Sequence, residues 1–173
     1  FCGKELEFRV KIFNLLAIAG VINCAAMVIV ALVNDSGWAN ILLNMATGLL
    51  SLFLLVYSAK SGQYQLCYTV TIFGIFLLLF PFLFFSAGGF HSGMPSFFIF
   101  GIVFTVYMLD GKTMFLFALL ELMVYIGICL YAYQYPQSVT AFDSELAILI
   151  DVIVGFLAVS LALGFTMYLQ FRL

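Results

Sequence analysis

Ser86-Ala87-Gly88-Gly89-Phe90-His91-Ser92-Gly93-Met94-Pro95-Ser96, running straight into the apolar stretch that ends at Leu109, decides how often this chain crosses a membrane. The apolar part, 96–109, has 14 residues. At 1.5 Å per residue it extends only about 21 Å, against ~30 Å of hydrocarbon in a bilayer. Five other apolar runs are long enough, at 10–33, 39–59, 65–86, 113–133 and 146–169. Whether the short run is a sixth crossing rests on the charges around it.

All six basic residues sort to one side of a six-pass arrangement. Lys4, Arg9 and Lys11 precede the first run, and Lys60 joins the second to the third. Lys112 joins the fourth to the fifth, and Arg172 follows the sixth. The opposite side holds Asp35, Asp143 and Glu145 without a Lys or Arg. The positive-inside rule makes the basic side cytoplasmic. Deleting any one span breaks this sorting, so the expectation is an all-α, six-helix transmembrane bundle with both termini cytoplasmic. The short fourth helix follows a Gly-rich outer loop. Asn34-Asp35-Ser36-Gly37, Lys60-Ser61-Gly62 and Asp110-Gly111-Lys112 carry turn chemistry, which makes successive helices antiparallel neighbours in one domain over 1–173.

Composition agrees. The chain is 66% hydrophobic and 8% charged, with a mean hydropathy of +1.24. Soluble domains average about 45–50% apolar and about 25% charged. No basic tract, zinc spacing or nucleotide-binding lid is present, so nucleic-acid binding, a metal site, a cofactor and phosphoryl transfer by this stretch are not expected. Cys2, Cys24, Cys67 and Cys129 show no CxxC spacing and read as small apolar residues. Phe1 in place of an initiator Met reads as a piece of a longer chain. The Glu5–Arg9 and Glu7–Lys11 spacings support a helix that continues past the membrane face or lies along it.

Ionisable residues inside a span are costly enough to mark a site. Glu121 lies in the fifth span and Asp151 in the sixth, at heights too different for a carboxylate pair. Asp151 shares a face with Ala147, Gly155, Ala158 and Ala162, small residues that admit a close neighbour. Tyr125, one turn from Glu121, is a candidate partner for it. Glu121 reads as a carboxyl joining helices, as a proton or ion relay, or as a coupling group. Asn40, Asn44, Thr47 and Ser51 share one face of the second span, and Asn23 sits midway along the first. These polar residues either glue helices or line a cavity. Pro81 is expected to bend the third span.

If the Gly-rich loop dips below the membrane surface, the fourth helix need not reach the top. Irregular backbone at that depth must be covered by protein or line a wet cavity. The expected ligand site is therefore an outward-facing mouth formed by Gly88, Gly89, His91, Ser92, Asp151, Asn40 and Asn44, with His91 and Asp151 close enough to meet. The phenylalanines around it suit a ligand with an apolar part.

The line Phe84-Phe85-Ser86-Ala87-Gly88-Gly89-Phe90-His91-Ser92-Gly93-Met94-Pro95-Ser96-Phe97-Phe98 resembles an element of amino-terminal multi-pass sensor modules in membrane sensor histidine kinases of clostridia-like bacteria. Related modules occur on diguanylate cyclases. Lys4-Glu5-Leu6-Glu7-Phe8-Arg9, Asp110-Gly111-Lys112 and Tyr168-Leu169-Gln170-Phe171-Arg172 carry the likeness further. The resemblance implies a signal-input domain in the bacterial cytoplasmic membrane. It also implies a homodimer whose last helix runs on into a cytoplasmic coiled coil and a kinase domain in cis. It implies no particular ligand. A small ion-coupled transporter or channel is the alternative, with Glu121 and Asp151 marking the path.

Overall fold

The computed structural model describes residues 2–34 and 37–172, with side chains from Glu7 onward. Expectations placed on Asp35-Ser36 and on the side chains of Cys2, Lys4 and Glu5 lie outside the described residues. Six helices and no strand occur among those described. They are α1 (Cys2–Val33), α2 (Trp38–Ser61), α3 (Tyr64–Ser86), α4 (Met94–Met108), α5 (Gly111–Gln134) and α6 (Glu145–Arg172). Each apolar run falls within one helix to within one residue. Five are long and apolar enough to cross a membrane. The exception is α4, whose 15 residues extend about 22 Å.

Two ends of the bundle can be told apart. At the basic end, Arg9 pairs with Asp110 of the α4–α5 turn. The Tyr107 hydroxyl donates to Gln170 Oε1 at 2.7 Å, tying the end of α4 to the end of α6. Lys11 and Glu7 pair at 3.3 Å one turn apart, as their spacing predicts. Gly62 ends α2 in the left-handed region at φ 72° and returns its N–H to the Ser58 carbonyl, a conformation that a Cβ would strain. At the opposite, loop end, the Asn34 side-chain amide donates to the Ala147 carbonyl at 3.2 Å.

The core is built mainly on α3 and α4. Cys67, Ile72, Phe76, Phe80 and Phe84 of α3 pack with Phe97, Phe98, Phe100, Phe104 and Met108 of α4, all buried. Their rings meet mostly edge-on: Phe76 and Phe104 lie 5.2 Å apart at 74°, Phe80 and Phe98 5.7 Å apart at 71°. Between helices in lipid, close packing and hydrogen bonds replace the hydrophobic drive. At the α1–α2 crossing, a Cβ on Gly48 would sit 3.0 Å from Cys24 Cβ, which shows how closely the two backbones approach. α5 is peripheral and buries only Glu121 and Ala132.

Around Pro81, expected to bend this span, the helix changes type. Residues Thr71–Leu79 form a π-helix, and α-helical turns resume at Phe80–Ser86. Pro81 cannot donate to a carbonyl one turn back, and its ring crowds that carbonyl. Wider i→i+5 turns before it relieve the conflict.

Candidate functional site

Four helices enclose a cavity of about 80 Å³, and a residue from a fifth closes it. From Asn40 to Leu54 along α2 it runs for about 21 Å, so it is long and slim. Its walls differ. One is polar, formed by Asn23 of α1, by Asn40, Asn44, Thr47 and Ser51 of α2, and by Thr71 of α3. The other is aromatic, formed by Phe76 and Phe80 of α3 and Phe97, Phe100 and Phe104 of α4. Asp151 is its carboxylate, and among the described residues no Lys, Arg or His lines it. This volume admits a few waters or a small slender molecule.

The polar wall follows from helical periodicity. Residues 40, 44, 47 and 51 lie on one stripe of α2, and all four are buried. The Asn40 amide donates to Ser86 Oγ at 2.9 Å, and Ser86 donates to the Leu83 carbonyl. The Asn44 amide donates to both the carbonyl and the side-chain oxygen of Asn40, each at 3.1 Å. The Asn40–Ser86 bond therefore glues α2 to α3 while the same stripe faces the cavity. Both of the roles expected for these residues are filled at once.

Asp151 holds the loop end together. It is 7% exposed, and its Oδ2 accepts the Gly93 N–H at 2.8 Å. Gly93 immediately precedes α4, so the carboxylate lies at a helix N-terminus, whose dipole favours negative charge. The close approach depends on two glycines. A Cβ on Gly155 would fall 2.8 Å from Gly93 Cα, and one on Gly93 would fall 2.7 Å from the Asp151 carbonyl oxygen. The small-residue face of α6 thus receives the start of α4.

Much of the Gly-rich loop is covered, with Phe90 and His91 left exposed. Its cover is the segment between α5 and α6. Gly88 N–H donates to the Thr140 carbonyl at 2.8 Å, and Thr140 N–H returns to the Phe85 carbonyl at 3.0 Å. Gly88 takes φ 79°, and a Cβ there would meet the Phe142 ring at 2.4 Å. Ser92 turns its hydroxyl back onto the Gly89 carbonyl and accepts the Met94 N–H. Of the expected site residues, Asn40, Asn44 and Asp151 line the cavity, and Asn23, expected as an intramembrane polar residue, joins them. Gly88, Gly89, His91 and Ser92 do not. His91 is exposed with its ring against Phe90, and the bond that reaches Asp151 comes from the Gly93 backbone instead.

Glu121 is buried elsewhere, at 3% exposure. The expected bond from Tyr125 is not made. Thr105 of α4 takes that place, with its Oγ1 2.7 Å from Glu121 Oε1, while Tyr125 lays its ring 5.0 Å from Phe98. Thr105 Oγ1 is also 3.0 Å from the Gly101 carbonyl. Glu121 Oε2 has no partner. Glu121 does not line the cavity that Asp151 closes.

The aromatic wall, the Gly93–Asp151 bond and the Thr140–Phe142 cover are not visible in the sequence pattern. Each joins residues distant along the chain. No group of His, Cys, Asp or Glu side chains suited to a metal ion occurs among the described residues.

No protein family, curated protein or solved structure matches the chain.

Proposed function

We propose that this chain is the signal-input module of a bacterial membrane sensor histidine kinase. It crosses the cytoplasmic membrane six times, with both termini and the basic end in the cytosol and the Gly-rich loop outside. A small molecule enters the cavity between the asparagine stripe of α2 and the phenylalanines of α3 and α4. The observation that carries this reading is the double duty of Asp151. It faces the cavity and it also ties α6 to the start of α4. A ligand that engages the carboxylate draws on the same group that holds the Gly93 N–H and shifts its position, so it binds the two arrangements of α6 unequally. That inequality is what a ligand needs to shift a conformational equilibrium.

α6 then carries the change to the basic end, where Gln170 is bonded to Tyr107 of α4. Beyond Arg172 the helix leads to the kinase domain in cis, and two copies act as a homodimer. A diguanylate cyclase in place of the kinase leaves this input mechanism unchanged. The transporter reading has less support, because Glu121 lies off the cavity and the two carboxyls share no visible path.

Two experiments test the reading. Single cysteines replacing Lys60 and Lys112 should react with a membrane-impermeant thiol reagent only after the membrane is opened, while one replacing His91 should react in intact cells. The reverse pattern rejects the topology and the signalling direction together. Fusion of the chain to a histidine kinase core should then give a ligand-dependent kinase whose response is lost in Asp151→Asn. Ligand-dependent solute flux through proteoliposomes, with no kinase response, would point to the transporter.

A further inference from the structure

We infer that the cavity takes a slender organic cation, a primary alkylammonium, with its charged head at Asp151. The inference rests on the sensing site proposed above and specifies the chemistry of its ligand. It follows from an inventory of donors and acceptors. Part of the polar wall's hydrogen supply is spent on the protein itself. The Asn44 amide nitrogen donates to two oxygens of Asn40. The Thr47 hydroxyl goes to the Leu43 carbonyl and that of Thr71 to the Cys67 carbonyl.

The residues that line the cavity also offer oxygens with free lone pairs. Asn44 is 6% exposed, and its Oδ1 accepts no bond from the protein. Asp151 receives the Gly93 N–H on Oδ2 alone, so Oδ1 is unpartnered. Asn23, Asn40 and Ser51 keep uncommitted hydrogens, so the one charged group, the Asp151 carboxylate, decides the preference. An ammonium group is all donor and no acceptor, so it complements such a lining. Its charge matches the one carboxylate, and among the described residues the lining contains no competing Lys, Arg or His. The opposite wall adds phenylalanine rings, whose faces attract cations and whose bodies accept an alkyl chain. The slim shape favours an unbranched chain.

An anionic ligand would meet Asp151 with no cation to compensate it. A neutral alcohol would satisfy one oxygen and leave the carboxylate without a counter-charge. The expected order of affinity is therefore ammonium, then alcohol, then carboxylate.

The test uses three probes of equal length: n-hexylamine hydrochloride, 1-hexanol and sodium hexanoate. Each is titrated by calorimetry into the protein in lipid nanodiscs, with empty nanodiscs as the blank. A spin label near the end of α6 reports movement in the same samples. Saturable binding of hexylammonium, about tenfold or more tighter than either isostere, is the expected result for a charge-assisted bond in a desolvated site. Asp151→Asn still offers an oxygen to Gly93 N–H and should weaken hexylammonium by about tenfold or more. Glu121→Gln, away from the cavity, should leave its binding unchanged.

The ranking of the three probes needs no variant, so it stands even if Asp151→Asn misfolds. Equal or tighter binding of hexanol or hexanoate overturns the inference, as does saturable binding by none of the three. If hexanol binds and moves α6, the cation is wrong and sensing stands. If hexylammonium binds through Asp151 and α6 stays still, the ligand class stands and sensing fails.

Discussion

Two buried carboxyls sit in two consecutive helices of this chain that barely touch each other, and their surroundings set them to different tasks. Asp151 accepts a backbone N–H at the start of α4 and opens on a cavity. Glu121 meets a threonine hydroxyl, leaves one oxygen unpartnered and opens on nothing comparable. Both have left water at a cost. At Asp151 the cost is offset by a helix terminus and by a face that a ligand can satisfy. At Glu121 it is offset only by Thr105. The difference teaches that a carboxyl inside a membrane helix is not a site by its presence alone. A space beside it is needed, with groups that a second molecule can complete.

Steric contact at the Asp151 end should give the largest effect. Gly155→Val drives a side chain into the Gly93 backbone, where even a Cβ would sit at 2.8 Å. Neither backbone can yield cheaply, so about 3 kcal/mol of stability should be lost. Gly164→Val is the control, since nothing lies within 4 Å of its added Cβ. Thermal melts of the two variants in one detergent check this. Equal melting temperatures would mean that the loop does not rest on α6.

Next comes the bond itself. Asp151→Ala strands the buried Gly93 N–H and should cost about 2 kcal/mol. Asp151→Asn should recover most of that while losing the charge. Melting temperature then separates the structural duty of the side chain from its electrostatic one. If Ala and Asn fall equally, the Gly93 bond contributes little and the latch role of Asp151 is wrong.

Glu121 should respond the other way round. Glu121→Gln keeps a partner for Thr105 and should change stability by less than about 0.5 kcal/mol. Glu121→Met removes the unpartnered oxygen and should be neutral or slightly stabilising. A large loss on Glu121→Met, read in the same melts, would show that the carboxyl holds α5 to α4 through more than the Thr105 contact.

How much of this was legible in the sequence depended on the distance over which each feature is set. The short α4 is a local feature and was readable, whereas the π-helical turns before Pro81 were not. The stripe from Asn40 to Ser51 was readable too, because one helix period places those residues together. Asp151 could be assigned an inward face from its small neighbours Ala147 and Gly155. The partners across the bundle could not be read. Periodicity names neighbours on the same helix, so it offered Tyr125 to Glu121 when the hydroxyl that arrives is that of Thr105, from α4. It offered His91 to Asp151 on the strength of chemistry, when a backbone N–H two residues later fits a gap that only glycines leave. The phenylalanines gave no signal either. With 21 in the chain, nothing in their spacing separated the cavity wall from the lipid face.

His91→Ala should have the smallest effect, and it discriminates between two pictures of the loop end. As the chain's single histidine, in a glycine-rich loop, it looks like a ligand group. Its ring instead lies 4.5 Å from that of Phe90, and both residues are exposed. Its backbone N–H closes the turn onto the Gly88 carbonyl at 2.9 Å, a bond that any residue except proline can make. Removing the imidazole should therefore change stability by less than about 0.5 kcal/mol and leave the hexylammonium isotherm unaltered. A loss of binding in His91→Ala, with the melting temperature unchanged, would move the ligand from the cavity between α2 and α4 to the loop surface. The whole contrast between the two carboxyls would then need a different cause.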